Sequence, residues 1–248
     1  MVDASGEMTL LDNLTQTYVT SESPQDRAIK SQAVRTFAPF MAPGRHGLEF
    51  GCCDGFMTAL LAEKLSTLTV VDGSRIFIDT AQKRVPGNVT FVHALFEEYA
   101  PGRKFDYIFA TYVLEHVADP VAFLRKAGSL LSAEGLLFVV VPNARALSRQ
   151  LARHMGLLDS LYQLTPNDMN HGHRRVYDRV SLDHEIEEAG LFQLSRGGLM
   201  LKLLADFQMD RMIEAGILGE SQLDGLYRMG LEYPELAGSL FSVCKAAP

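Results

Sequence analysis

Leu48-Glu49-Phe50-Gly51-Cys52-Cys53-Asp54-Gly55 is a short apolar run that ends in a turn bounded by two glycines. A strand over Gly47–Phe50 stops there, and helical spacing begins at once in Phe56-Met57-Thr58-Ala59-Leu60-Leu61-Ala62-Glu63-Lys64-Leu65. Such a turn between strand and helix brings backbone N–H groups and a helix N-terminus close to a ligand, because glycine has no side chain to block the approach. Taken alone, it is equally well a tight connection with no ligand. Asp72 adds the second feature. It closes the next apolar run, Leu68-Thr69-Val70-Val71-Asp72, 17 residues after Gly55, where an acid accepts both hydroxyls of a ribose. The pair indicates an adenosine-type ligand above the strand ends.

The alternation continues down the chain. A helix is expected from about Ser74 to Lys83, strands at Val89–His93, Phe105–Ala110 and Leu136–Val141, and an amphipathic helix over Val121–Leu131 closed by a turn at Gly135. Strand–helix alternation of this kind is the mark of a mostly parallel sheet with helices on both faces. Ser181 is expected to cap a helix that runs through Ala189, with Asp183 and Glu185 in its first turn and Gly190 as its stop. Further strands are expected at Phe192–Arg196 and Leu240–Cys244. Residues 1–45 read as an N-terminal helical cap, with Thr36-Phe37-Ala38-Pro39-Phe40-Met41 packing on the sheet. The domain proper is 46–248. Within it, 143–177 departs from the alternation, is rich in Arg, His, Asn and Met, and carries a break at Pro166, so it reads as a small helical lid.

Composition narrows the function. The 248 residues are 47% hydrophobic and 21% charged, an ordinary globular balance, and 23 Lys+Arg against 30 Asp+Glu give a net charge of −7. No basic field is available to hold a phosphate backbone, which argues against nucleic acid as a partner. The N-terminus lacks a secretory signal, and no stretch approaches the roughly 20 apolar residues of a membrane span, so a cytoplasmic protein is expected. The three cysteines, Cys52, Cys53 and Cys244, form neither a disulfide framework nor a structural zinc spacing.

As an ordered set these segments resemble a class I S-adenosylmethionine-dependent methyltransferase of the small-molecule group. Leu48–Gly55 is similar to the family's first motif, Val70-Val71-Asp72-Gly73-Ser74 to its ribose-binding strand end, and Phe105-Asp106-Tyr107-Ile108-Phe109-Ala110-Thr111-Tyr112-Val113-Leu114-Glu115-His116-Val117 to its fourth-strand motif. Leu130-Leu131-Ser132-Ala133-Glu134-Gly135-Leu136-Leu137-Phe138 is similar to its turn into the fifth strand. The likeness is dense over residues 46–145 and loose beyond. It implies a Rossmann-like seven-stranded α/β sheet. It also implies S-adenosylmethionine as cofactor, leaving as S-adenosylhomocysteine. Glu49, Gly51, Cys53 and Gly55 would hold it at the first turn, Asp72, Gly73 and Ser74 at the second strand end, Ala94, Leu95 and Phe96 at the adenine, and Thr111 and Tyr112 beyond the fourth strand. Two positions depart from the pattern. Cys53 replaces the usual central glycine, and His93-Ala94-Leu95-Phe96 stands where an acid often meets the adenine amine.

The remaining residues bear on the acceptor. Methyl transfer from a sulfonium is an in-line displacement in which the protein supplies positioning and, for an O–H or N–H acceptor, a proton sink. Ala110-Thr111-Tyr112 lacks the carboxylates of the metal-dependent catechol type, so no metal is expected, and it lacks the signature that clamps a flipped adenine. Histidine is the natural base near neutrality. His116, past the fourth strand, is one candidate, with a second hydrogen-bonding role as its alternative. The lid stretch Asn170-His171-Gly172-His173-Arg174-Arg175-Val176-Tyr177 offers His171 and His173 as further bases. Asn170, Arg174 and Arg175 would clamp an acceptor carboxylate or phosphate. A solvated loop is the plain alternative, and metal binding by His171 and His173 is disfavoured because no third ligand is near in sequence. Tyr18 would close over the sulfonium, or simply pack a helix.

The expectation is a monomeric or homodimeric enzyme that methylates a small molecule at oxygen without metal. A small-molecule N-methyltransferase and a non-catalytic S-adenosylmethionine-binding protein remain the alternatives.

Overall fold

The computed structural model describes Met8, Leu11, Asp12 and residues 23–246. The described chain runs α1 (Pro24–Phe37), β1 (His46–Phe50), α2 (Phe56–Ala62), β2 (Thr67–Asp72), α3 (Arg75–Ala81), β3 (Val89–His93), β4 (Phe105–Thr111), α4 (Pro120–Ser129) and β5 (Leu131–Pro142). It continues through α5 (Leu147–His154), α6 (Pro166–Asn170), α7 (Arg179–Glu188), β6 (Leu191–Leu199), α8 (Asp206–Glu214), α9 (Glu220–Glu232) and β7 (Ser239–Ala246). The seven strands form one sheet in the order β3-β2-β1-β4-β5-β7-β6. All neighbours are parallel except β7, which runs antiparallel to both β5 and β6.

The central strands are apolar along their whole length because both faces of the sheet are covered. On one face Leu48, Phe50, Ile108, Leu137, Val139 and Val141 bury against Phe123, Leu124, Leu182 and Ile186 of α4 and α7. On the other, Phe109, Phe138, Val140 and Phe241 meet Phe37 of α1, whose ring lies 4.7 Å from that of Phe138. Met200 and Met209 are fully buried in this second layer, whereas Met229 is 41% exposed. Among the described residues, no helix is long and apolar enough to cross a membrane.

Three local expectations change in the structure. Ser181 is not the cap of α7: Asp178 caps it, accepting the Ser181 N–H at 2.8 Å, and the Ser181 hydroxyl returns the bond to the Asp178 N–H at 3.0 Å. That capping box moves the helix start back to Arg179. Gly135 does not end a helix. It lies inside β5, which begins at Leu131, and a Cβ there would stand 2.9 Å from the Phe105 carbonyl oxygen, at the register shift between β4 and β5. Pro166 starts an element rather than breaking one, because it occupies the first turn of α6 behind the Thr165 cap, where its missing N–H is not needed.

Candidate active site

The strand order reverses between β1 and β4, so the crevice for a ligand opens beyond the carboxyl ends of these two neighbours. Gly51 leaves β1 with φ +79° and donates its N–H to Val71 O at 2.9 Å. A side chain at Gly51 would fill the gap toward Val113 and Phe96, at 3.6 and 3.8 Å. Gly55 has a different reason to be glycine. Its φ is +82°, and an added Cβ would lie 2.7 Å from Ala81 Cα, so the missing side chain lets α3 approach α2.

Asp72 faces this turn and is buried. One carboxylate oxygen accepts the Cys52 N–H at 2.8 Å, with the Cys52 thiol at 3.4 Å, and the other accepts the Ser74 N–H at 2.7 Å. Burial raises its pKa, and those hydrogen bonds oppose the rise. A carboxylate offers about four acceptor directions, so this one retains capacity for further donors. Ser74 caps α3, and its hydroxyl also donates to Asp12 at 2.6 Å. Leu11 stands against Gly73, so this N-terminal stretch lies over the end of β2. The sequence reading had no signal for that contact.

Glu49 lies beneath the same turn, fully buried, and neither carboxylate oxygen has a hydrogen-bond partner among the described residues. Burial pushes its pKa up to about 8, opposed by Thr58 and by the Lys30 ammonium. An orphaned buried carboxylate is costly unless a cation or donor meets it. Thr58 and the Lys30 ammonium stand near enough to act on it, and its two unbonded oxygens keep room for a further cation or donor at the glycine turn.

This burial sets a pH dependence. A carboxyl whose folded pKa exceeds its unfolded value binds more protons when folded, so its contribution to stability is complete below the unfolded value near 4.5 and is lost as pH rises through about 8. Glu49→Gln is expected to abolish the part of the stability loss of the ligand-free protein between about pH 4.5 and 8 that Glu49 causes. The variant should then melt about 5 °C or more above wild type at pH 8.5. Parallel melting curves from pH 5 to 9 check this; identical slopes in the two proteins contradict it.

Where the sequence resemblance expects the adenine, Leu95 is buried and Phe96 joins an aromatic group, 5.3 Å from Phe50 and 5.8 Å from Phe123. Ala94 donates its N–H to Asp72 O, and His93 Nε2 lies 3.1 Å from Gly73 O. Beyond β4, Thr111 is buried and Tyr112 holds φ +59°, with its hydroxyl 3.0 Å from Ser239 Oγ on β7. Cys53 is half-buried with φ +46°, and burial pushes its thiol up to about 11. It is a weak nucleophile.

The histidines expected to face an acceptor come from two distant segments. His116 and His173 meet edge to face, with ring centroids 4.8 Å apart. Glu115 lies beside them, completely buried, with both oxygens unpartnered among the described residues. Burial pushes Glu115 up to about 7, against the pull of His173, and pushes His116 down to about 3, with His173 adding to the fall. Asp168, in α6, sits 3.3 Å from His173 Nδ1. Burial would raise Asp168, but His173, Thr165 and Arg149 hold it well below the usual carboxylate range. The sequence reading missed the roles of Glu115 and Asp168. The adjacent Glu115-His116 pair and the Thr165-Pro166-Asn167-Asp168 capping pattern were the available signals.

Arg174 and Arg175 brace the loop after β4. Arg175 donates to the carbonyls of Leu114, Val117 and Ala118 at 2.8, 2.5 and 3.2 Å, and Arg174 donates its Nε–H to His116 O at 2.8 Å and its N–H to Glu115 O at 2.7 Å. The loop after β4 leaves carbonyls outside any ladder, and the arginines satisfy them. His171 stands back from the cluster, its Nδ1 2.8 Å from Asn167 O, and Asn170 is exposed at the end of α6. Tyr18 lies outside the described residues.

The family described as methyltransferase domain matches residues 24–195. The chain belongs to the class I S-adenosylmethionine-dependent methyltransferases. The ubiquinone biosynthesis O-methyltransferase of Parvibaculum lavamentivorans is 29% identical over 133 residues, covering 51% of this methyltransferase and 49% of that protein. The trans-aconitate 2-methyltransferase of Enterobacter sp. strain 638 is 33% identical over 116 residues, covering 44% and 46%. The methyltransferase thus spans about half the length of the curated relatives it matches. Its fold is shared with the N-methyltransferase NodS of Bradyrhizobium japonicum WM9, solved with S-adenosylhomocysteine, at a TM-score of 0.61 and 14% identity over 96% of this chain and 98% of that one.

Proposed function

We propose that this methyltransferase moves a methyl group from S-adenosylmethionine to an oxygen of a small-molecule acceptor, acting as a monomer or homodimer. The observation that carries the reading is the placement of two unlike sites at the ends of adjacent parallel strands. Asp72 and the orphaned Glu49 stand at the glycine turn, and the Glu115–His116–His173 cluster follows β4. The bound cofactor supplies an electrophilic methyl carbon on a cationic sulfur. Asp72 is assigned to the ribose hydroxyls, Leu95 and Phe96 to the adenine, and Gly51 and Thr111 to the methionine side. Glu49 meets the positive charge of that end, directly or through water.

His173 is the better proton acceptor of the pair. A base held near pKa 3, as His116 is, takes up a proton poorly at neutral pH. Asp168 beside His173 Nδ1 favours a proton there and leaves Nε2 as the acceptor. Oxygen is favoured because a hydroxyl must lose its proton, whereas an amine requires less basic help, and the ubiquinone biosynthesis relative matched over about half its length is an O-methyltransferase by name.

The test is a panel of phenolic, carboxylic and amine acceptors incubated with methyl-labelled S-adenosylmethionine, with the labelled atom located by mass spectrometry. Label on oxygen, and a fall in turnover of about 10²-fold or more in His173→Ala with the affinity for S-adenosylhomocysteine kept, is the expected result. Label confined to nitrogen, or full turnover in the variant, overturns the oxygen reading.

A further inference from the structure

Glu115, His116 and His173 offer one ligand atom each, and these atoms lie within 4.8 Å of one another. Two imidazoles and one carboxylate are the donor set that zinc and other divalent transition ions favour. A tetrahedral ion with bonds near 2.0–2.1 Å needs its ligands about 3.3 Å apart, so closure of about 1.5 Å or less, within the range of side-chain rotation, completes the shell.

The surroundings are those of a metal centre. Metal-bound histidines typically donate their second ring N–H to a carboxylate or a backbone carbonyl, which fixes the tautomer and aims the remaining lone pair. Acceptors stand beside both histidines: Asp168 lies 3.3 Å from His173 Nδ1, close enough to bond it after a small ring rotation though it makes no hydrogen bond as it stands, and the Gly172 backbone bonds the His116 ring. Asp168 is itself anchored by the Thr165 N–H and hydroxyl, each at 2.8 Å, and by Arg149 at 3.2 Å. The Glu115 carboxylate is the third element. It is fully buried with no hydrogen-bond partner on either oxygen among the described residues, although its backbone carbonyl is bonded to Arg174.

We infer that Glu115, His116 and His173 form a binding site for one divalent transition-metal ion of the zinc type, with Asp168 and the Gly172 backbone orienting the two imidazoles. Three protein ligands leave a tetrahedral ion one position for water or for an acceptor oxygen, and the loaded state takes up the His173 Nε2 lone pair that serves as base in the metal-free protein. The sequence expectation of no metal rested on the absence of carboxylates in Ala110-Thr111-Tyr112, and metal binding by His171 and His173 was disfavoured for want of a third ligand near in sequence. The fold supplies two ligands from the loop after β4, and His171 is not one of the set.

The experiment strips the 248-residue chain with chelator, reloads it with Co2+ and with Zn2+, and reads stoichiometry by elemental analysis and geometry by the visible absorption of Co2+. One ion per chain, with intense visible bands that Zn2+ displaces, is expected. Glu115→Gln and His173→Ala should bind at least 30-fold more weakly, Asp168→Asn roughly 10- to 100-fold more weakly, and His154→Ala, elsewhere in the lid, as wild type does. Binding of S-adenosylhomocysteine is measured on each sample, so a failure of the metal site is separable from a failure of the cofactor assignment or of folding. Folded wild type that takes up no ion, or ligand variants that hold it as tightly as wild type, overturns the inference.

Discussion

Asp72→Ala is expected to weaken binding of S-adenosylhomocysteine by roughly 10²-fold or more, as read by calorimetry. Two charge-assisted hydrogen bonds to a ribose are together worth about 3–6 kcal/mol, and each 1.4 kcal/mol is tenfold in affinity. The same carboxylate accepts the N–H groups of Cys52 and Ser74 at 2.8 and 2.7 Å, so alanine also strands two donors that shape the turn. Asp72→Asn separates the effects. It keeps one carbonyl oxygen for the turn but loses the charge and one acceptor, so it should remain folded and still bind markedly more weakly than wild type. Either variant, folded and binding within about threefold of wild type, would remove Asp72 from the ribose site.

Gly55→Ala is expected to lower the melting temperature by about 6–12 °C. The new Cβ would stand 2.7 Å from Ala81 Cα and 2.8 Å from its Cβ, and neither atom is the movable end of a flexible side chain. Left-handed backbone at φ +82° costs a residue other than glycine about 1–2 kcal/mol, and overpacking typically adds about 1–3 kcal/mol. At this chain length 1 kcal/mol corresponds to roughly 2–4 °C. Gly102→Ala, where nothing lies within 4 Å of the added carbon, is the matched control and should be nearly neutral. A Gly55→Ala melt within about 2 °C of wild type would show that α2 and α3 separate cheaply, against the packing argument. Because Gly55 fits α3 rather than a ligand, the loss should appear in stability before it appears in affinity.

The end assigned to the cofactor was legible as a turn and an acid because its requirements are local. A strand, a glycine turn, a helix and an acid at the next strand end follow one another within 25 residues from Leu48 to Asp72, and parallel pairing of β1 with β2 brings the acid to the turn whatever the rest of the chain does. Cys53 illustrates the limit of such reading. It departs from the glycine pattern, yet the backbone accepts it with φ +46°, a conformation that sequence alone does not disclose.

The acceptor end was only half legible. Histidines 116 and 173 were each visible as candidates, but their contact depends on lid docking, and Arg174 and Arg175 supply the stitches by satisfying carbonyls of the loop after β4. Their charge suggested a substrate clamp; the unpaired loop carbonyls they serve could not be counted before the loop's shape was known. Burial behaves in the same way. Nothing in the residue names distinguishes Glu49 and Glu115 from surface acids, and their raised pKa values come from how many atoms the folded chain places around them.

From the order of residues follow the α/β alternation, the family, and the turn and acid assigned to the adenosyl group, since hydrophobic period and glycine placement act between near neighbours. Tertiary contact alone assembled Glu115, His116, His173 and Asp168 and set two arginines as braces of the loop after β4. Those groups lie up to 58 residues apart, and only packing of the lid against the strand ends sets the distances on which their chemistry depends.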